Sequence, residues 1–547
     1  MKKKQKLSLF PSLGMAAVAL VGCGLSSGGD DAADFTIWCY QVDTTIENYG
    51  NSPVFKEIEK RTGKHVKFIL GEDQSSLLAT KSYPEVCLWL GYPNGYETGI
   101  RNGVVKDITD YVKNDMPNYK KVITSKDDIW RATSCGNNRI GGLFTVNNTP
   151  EPPWRGLVMR KDAIEKYKDR FTTYCDWEDL GEKDSQGKPL LTPTLYSHWT
   201  DIFTVVKQAY KDSNGKEGFR YPCSISSKGF DGFDTLSAGF DIALGDTSYY
   251  DCNGTLKTGY VEPGFKDYLT QINAWCKAGF INPNFAQTAN GLTTDNVDTV
   301  GTARNKPYAI CWPELSTYMD LRVDLAKNNG IEDYALMAVP QPRQSESQIN
   351  HLVNTNGYVG LSACITTKCS DEKTKEICEW FDHFYSEEFF DLINYGIEGV
   401  TYTLDANGNK IYNEKMRENP DKGYYEQIMY NFPGYYDVNR RDWALSEEVK
   451  RASNEIWKYK NDGAYNLKNT AVFSGDDGTE YASIMNAVTT NVQENTIKFI
   501  KGTRSVSKDF GSFVHELKTK YNIDRATELR EQSYRDYLKL SVPEDWK

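Results

Sequence analysis

The chain has 547 residues, of which 39% are hydrophobic and 25% charged, and its mean hydropathy is -0.60. That is too apolar for a disordered chain and far too polar for a polytopic membrane protein, and the length calls for at least two cores. Acidic residues outnumber basic ones 75 to 64, a formal charge of -11, and no basic block stands beyond the N-terminus, which argues against nucleic-acid binding by charge. The unusual figure is the aromatic content, 13% with 12 Trp and 35 Tyr. Flat apolar rings with a polar edge suit recognition surfaces as well as cores.

Lys2, Lys3, Lys4 and Lys6 precede a mostly apolar run from Leu7 to Val21, interrupted by Pro11. The run is too short for a permanent membrane span and reads as an export signal over residues 1–22. It closes on Leu20-Val21-Gly22-Cys23, which resembles the lipobox of bacterial lipoproteins, so Cys23 is expected to carry the lipid. Residues 23–34 then form a flexible tether, since Gly24 to Asp34 has no apolar periodicity. The expected location is the outer face of the bacterial cytoplasmic membrane, held there by acyl chains. The remaining Cys form no compact framework and no metal-ligand spacing, so neither a disulfide-held fold nor zinc is expected.

Along the chain, Phe35–Tyr40 reads as a strand, Val54–Thr62 as a helix, and His65–Leu70 as a returning strand. A short helix and a third strand, Pro84–Leu90, complete a β-α-β-α-β order, which implies a parallel sheet. Ligands of such sheets sit beyond the carboxyl ends of the strands. Trp38, Tyr40 and Gln41 lie at the first such end; Trp89, Tyr92 and Asn94 lie at the third. Arg139–Val146 reads as a strand entering a Pro-rich joint, Asn147–Trp154. Helical spacing places Trp199, Trp275 and Trp380 in cores. Lys306–Trp312 and Tyr358–Thr366 read as strands, Tyr334–Pro342 as an extended return crossing, and Asp371–Asn394 as one helix. The expected division is 35–147 plus 336–404 for lobe 1 and 148–335 plus 405–547 for lobe 2. Several connections favour hinge motion over independent tumbling.

Several segments, in order, resemble the family 1 extracellular solute-binding proteins, the lipoprotein receptors of ABC importers, and especially their larger sugar-uptake branch. They are the lipobox, PEVCLWLGYPNGYETGIRNGVVKDIT (Pro84 to Thr109), GLVMRKDAIEKY (Gly156 to Tyr167), YLTQINAWCKAGFINPNF (Tyr268 to Phe285), AICWPE (Ala309 to Glu314) and YSEEFFDLINYGIEGVTY (Tyr385 to Tyr402). The resemblance implies a two-lobed, periplasmic-binding-protein-like (type II) α/β fold, hinged around a cleft. It also implies an oligosaccharide ligand, an ABC importer permease as partner, no cofactor, and a monomer. By the same resemblance Trp89 and Trp312 stack on sugar, with Glu314 beside the second.

Sugars present apolar C–H faces and a hydroxyl rim, which aromatic planes and Asn, Gln, Asp or Glu match. Trp38 and Tyr40 share one strand facing, opposite to that of Cys39, so only one set faces the cleft. The loop Lys228–Asp234 (KGFDGFD) is either a surface turn or a ligand loop offering Phe230, Asp231 and backbone amides. Asn356 and Tyr358 open a strand, and Glu398 stands in a turn. Asp405–Asn409 (DANGN) superficially resembles the start of a calcium loop, but Asn407-Gly408 between extended residues makes it a hairpin turn. The competing readings are a secreted glycoside hydrolase, which needs a flanking carboxylate pair, and a sugar-adhesion lipoprotein without transport.

Overall fold

The computed structural model describes residues 33–40, 48–71, 74–88, 92, 95–135, 138–245, 248–287, 309–328, 330–353, 355, 357–413, 432–440, 445–467, 473 and 476–547. The expectations for Cys23, Gln41, Trp89, Asn94 and Asn356 lie outside these residues.

The first strand, Phe35–Tyr40 (β1), runs parallel to Val66–Gly71 (β2) on one side and Val86–Leu88 (β3) on the other. The intervening helix Pro53–Thr62 forms because Ser52 caps its start, Pro53 fits the first turn, and left-handed Gly63 ends it. Its Val54, Phe55 and Ile58 face the core. The sheet then extends antiparallel through Val359–Ile365 (β10) to Leu143–Asn147 (β4), and Gly434–Tyr436 (β13) adds a parallel edge. The six strands are ordered β13-β4-β10-β3-β1-β2. Trp380, Phe381, Phe384 and Phe432 fill the core on this body, lobe 1.

Lobe 2 is built on Arg155–Arg160 (β5), flanked antiparallel by Cys311–Leu315 (β8) and Leu336–Val339 (β9). All of β5 and β9 is buried: the apolar runs Leu157–Met159 and Leu336–Val339 demand it, and at the end of β5 Arg160 is buried by pairing with Asp162. Around it pack the helices Tyr196–Asp212, Pro263–Lys277, Asp477–Lys501 and Val506–Thr519. Trp199 and Trp275 stack at their centre, 6.5 Å apart and 9° from parallel. A hairpin, Tyr249–Cys252 (β6) with Thr255–Thr258 (β7), closes one end. A second hairpin, Tyr402–Leu404 (β11) with Lys410–Tyr412 (β12), contains Asp405–Asn409 as its turn. There the Asp405 carboxylate accepts from the backbone N–H groups of Asn407 and Asn409, both at 2.8 Å.

The structure corrects the division into lobes. Residues 336–339 belong to lobe 2, because β9 pairs with β5; the return crossing comes later, before β10. A boundary at 404/405 would cut the β11–β12 hairpin, which Lys410 ties to Asp391 beside the lobe 1 core. Residues 434–436 return to the lobe 1 sheet, and the C-terminal Val542 and Trp546 pack into its core, Trp546 lying 4.9 Å from Trp130. Three-residue strands carry too little periodicity to be read. The expected helix Asp371–Asn394 is two helices, Asp371–Asp382 and Glu387–Tyr395, because Ser386 caps a new start by accepting from the Phe389 N–H.

Gly156 in β5 lets the Trp457 ring lie flat on the strand, and the indole N–H donates to the Leu157 carbonyl at 3.0 Å. A Cβ at 156 would stand 2.3 Å from that ring. Gly156→Ala should therefore destabilise lobe 2 by about 1–3 kcal/mol, measured by urea unfolding followed through tryptophan fluorescence.

Candidate functional site

The two lobes face each other across a cavity of about 740 Å³. Lobe 1 contributes Asp128 and Ala132 of the helix Asp127–Thr133 and the entry to β10, Gly357–Val359. Lobe 2 contributes the loop Gly232–Asp234, Ala243 and Tyr249 of β6. The crossing residues Leu352 and Val353, with the turn around Asn461–Ala464, make the remaining wall.

That crossing is laced to the turn by amide side chains. Asn461 donates to the carbonyl of Leu352 at 2.6 Å, and Asn466 donates to that of Val353 at 2.7 Å while accepting from its N–H at 3.1 Å. His351 pairs with Asp462 at 2.9 Å. This hydrogen bond holds the Asp462 carboxyl below the usual carboxylate range.

Two rings, one from each lobe, line the cavity. Tyr358 is clamped by Lys126, whose ammonium donates to the phenol oxygen at 2.9 Å and lies 4.2 Å from the ring centroid. Phe233 is backed by the Arg155 guanidinium at 4.3 Å and by the edge of Trp154 at 5.2 Å. Each ring is thus held by a cation.

The loop that carries Phe233 is organised by Asp231, which is buried. Its carboxylate accepts from the Phe233 N–H at 2.9 Å and the Thr235 hydroxyl at 2.7 Å. Asp234, three residues on, has a left-handed backbone (φ 56°) and lines the cavity. One of its oxygens accepts from Leu244 N–H at 2.6 Å, Gly245 N–H at 2.9 Å and Ser237 Oγ at 2.7 Å. Burial pushes its pKa up to about 7, against those hydrogen bonds, and the nearby Asp231 charge adds to the rise. Flat rings, amides and a carboxylate around one cavity match the apolar faces and hydroxyl rim of a polyol. Among the described residues no group of three or more His, Cys, Asp or Glu is placed to hold a metal.

No protein-family model matches the chain, and no curated protein is similar to it in sequence. Solved structures do match. An HMO-binding, ABC-transporter-associated solute-binding protein from Bifidobacterium longum infantis aligns at 14% identity over 92% of this chain and 99% of that one, with a TM-score of 0.68. The S. pneumoniae ABC-transporter substrate-binding protein FusA, solved with kestose, aligns at 15% identity over 92% and 99%, TM-score 0.66. The alginate-binding protein AlgQ2, solved without calcium ion, aligns at 16% identity over 92% and 97%, TM-score 0.63. The chain has the two-lobed, periplasmic-binding-protein-like α/β fold.

Within this fold the residues singled out from sequence fall into distinct places. Tyr358 lines the interlobe cavity. Trp312 does not: it is 1% exposed in the lobe 2 core, and its indole N–H donates to Glu314 at 3.0 Å. Glu314, also 1% exposed, is neutralised by Arg322 and accepts from the Leu315 N–H at 3.0 Å. A ligand has no face of either to reach. Trp38 is 4% exposed and covers Gly71 of the neighbouring strand, packing against Val105 and Tyr96. Tyr40 ends β1 beside Gly71, so the strand end is where expected. Tyr92 packs in the same cluster as Trp38 and accepts from Asn102 at 3.2 Å. Phe230 is buried against Tyr260, and Asp231 shapes its own loop. Glu398 is exposed in the turn before β11.

The expected ligand loop KGFDGFD is therefore at the cavity, but through its second half, Gly232, Phe233 and Asp234. The repeated Phe-Asp pair gave no basis for choosing between its copies. Tyr249, Asn461 and Asn466 were missed because they stand in short or irregular segments.

Trp312→Ala should cost about 3–5 kcal/mol of stability, as for a large buried aromatic, and leave ligand affinity unchanged in calorimetry of the folded fraction. Asp234 binds its proton more tightly in the folded chain than its ordinary 3.8. Its contribution to stability is full below pH 4 and is lost as pH rises through about 7. Wild type should lose stability relative to Asp234→Asn between pH 4 and 8, by at most about 4 kcal/mol, in denaturant titrations at each pH.

Proposed function

We propose that the protein is a substrate-binding receptor that captures an oligosaccharide between its lobes and delivers it to an ABC importer. The observation that carries this reading is the interlobe cavity, with clamped rings from both lobes, Tyr358 and Phe233, and hydrogen-bonding groups between them. The similar solved structures named above include proteins described as binding HMO, kestose and alginate, which supports a carbohydrate. A ligand touching both lobes favours the closed arrangement by its differential contacts, and the closed form is what a permease distinguishes.

In this reading Tyr358 and Phe233 supply stacking faces, and Asp234 accepts sugar hydroxyls. The sequence pattern adds Tyr40, Gln41, Trp89, Asn94 and Asn356 as further proposed ligand contacts. Export by residues 1–22 and a lipid on Cys23 place the receptor, as a monomer, on the outer face of the cytoplasmic membrane. No helix among the described residues is long and apolar enough to cross a membrane. The reading assigns no catalytic step.

A thermal-shift series with neutral oligosaccharides of increasing length tests this. Melting temperature should rise with sugar length and no product should form; short peptides should give no shift. Phe233→Ala and Tyr358→Ala should each weaken binding by about 0.5–1.5 kcal/mol in calorimetry. Turnover of the sugar would replace the receptor with a hydrolase, and shifts with peptides alone would keep the receptor and discard the sugar.

A further inference from the structure

Two cysteines that the sequence keeps far apart meet in the lobe 1 sheet. In the antiparallel pair of β3 and β10, Cys364 stands directly opposite Cys87. Two residues along the same register, the Thr366 N–H donates to the Glu85 carbonyl at 2.9 Å. By the alternation of antiparallel ladders Cys87 and Cys364 are then also a hydrogen-bonded pair, with Cα atoms about 5.5 Å apart. Disulfides most often span a Cα separation of about 5.5–6 Å. Both side chains lie on one face of the sheet, where they pack with Trp38 and Val105. Val86, Leu88, Ala363 and Ile365 alternate with them and pack on the opposite face, with Cys39, Cys369 and Cys378. The register thus matches Cys87 with Cys364 and separates them from those three thiols.

Both residues are 0% exposed. The neighbouring Cys87 thiol, together with burial, holds the Cys364 thiol well above its ordinary range. The thiolate is the attacking species in disulfide exchange, so the folded pair is slow to react. The two sulfurs come into register only when β10 enters the sheet between β3 and β4. That is the last stage of folding at which an oxidant reaches them. Joining them inserts no atom into the packed face, since it removes only two hydrogens.

We propose that Cys87 and Cys364 are an oxidation site that closes to a cross-strand disulfide when lobe 1 folds beside a disulfide oxidant. One cysteine thiolate attacks the oxidant's S–S bond and releases its first thiol. The second cysteine thiolate attacks the resulting mixed disulfide, and the protein S–S bond forms as the second thiol leaves. Two cysteines are oxidised, the oxidant's two sulfurs are reduced, and the two cysteine protons end on the released thiols. The closed loop encloses β5, β8 and β9, so it ties the re-entering strand of lobe 1 across the sheet of lobe 2. Long loops gain the most from such closure. Meeting an oxidant in the cell rests on the export reading above; the pairing does not.

The test uses the full chain, unfolded in urea with reductant and refolded with mixed reduced and oxidised glutathione. Free thiols are alkylated and the unreduced protein is digested with trypsin. Cys87 is the one cysteine of peptide 82–101 and Cys364 the one cysteine of peptide 344–368, so mass spectrometry reads their link directly. The linked pair should be the major form of both peptides. The oxidised protein should melt about 2 °C or more above the reduced one, and Cys87→Ala should lose that rise. Dithiothreitol should leave the link intact in the folded protein and remove it in urea. Recovery of both peptides alkylated from the refolded protein overturns the inference, as does their linkage to other cysteines. Should the chain not refold, the same peptide map of protein synthesised beside a thiol–disulfide oxidase decides by the same outcomes.

Discussion

The arrangement depends on how the crossing segments between the lobes satisfy their own backbone. A crossing strand beside a cavity has no sheet to pair with, and its N–H and C=O groups must find other partners. Here Asn461 and Asn466 supply them, fixing Leu352 and Val353 from the side. The same two asparagines then help to line the cavity. The wall between the lobes is thus rigid where it is closest to a ligand, and its polarity is a by-product of holding the chain in place. Rings clamped by Lys126 and Arg155 are added to that frame.

Fold and ligand compete for the same residue types in a chain this rich in aromatics, and the competition explains what was legible in the sequence. The parallel opening β1, β2, β3 was readable because apolar strands and a capped helix repeat at regular spacing. Trp199, Trp275 and Trp380 were readable as core because helical neighbours share their face. Trp312 was not: a tryptophan after an apolar strand run looks alike whether it ends the sheet or continues it. Here β8 runs on to Leu315, so Trp312 sits inside the strand, not at its end. A displacement of three residues converts a platform into a core ring. The loop Lys228–Asp234 was found, yet its sequence does not tell the buried Asp231 from the cavity-lining Asp234, whose backbone is left-handed. That distinction lies in contacts with Leu244 and Gly245, ten and eleven residues on, beyond the reach of local sequence pattern.

Charge follows a similar logic. Lobe 2 buries carboxylates and guanidiniums together, and Glu314 with Arg322 and Glu178 with Arg343 neutralise one another inside it. Asp234 is an exception at the cavity wall, where burial raises its pKa to about 7 although Leu244, Gly245 and Ser237 donate to it.

The C-terminal turn has a consequence of another kind. The helix Ile523–Lys539 belongs to lobe 2, yet the chain leaves it, passes Arg131, which donates to the Leu540 carbonyl at 2.8 Å, and ends with Trp546 in the core of lobe 1. Neither lobe is a contiguous stretch of chain, and the last residues behave as a strap across the joint. The tail therefore couples the two halves from outside their sheets, and any relative movement of the lobes has to be accommodated in the short stretch between Lys539 and Val542.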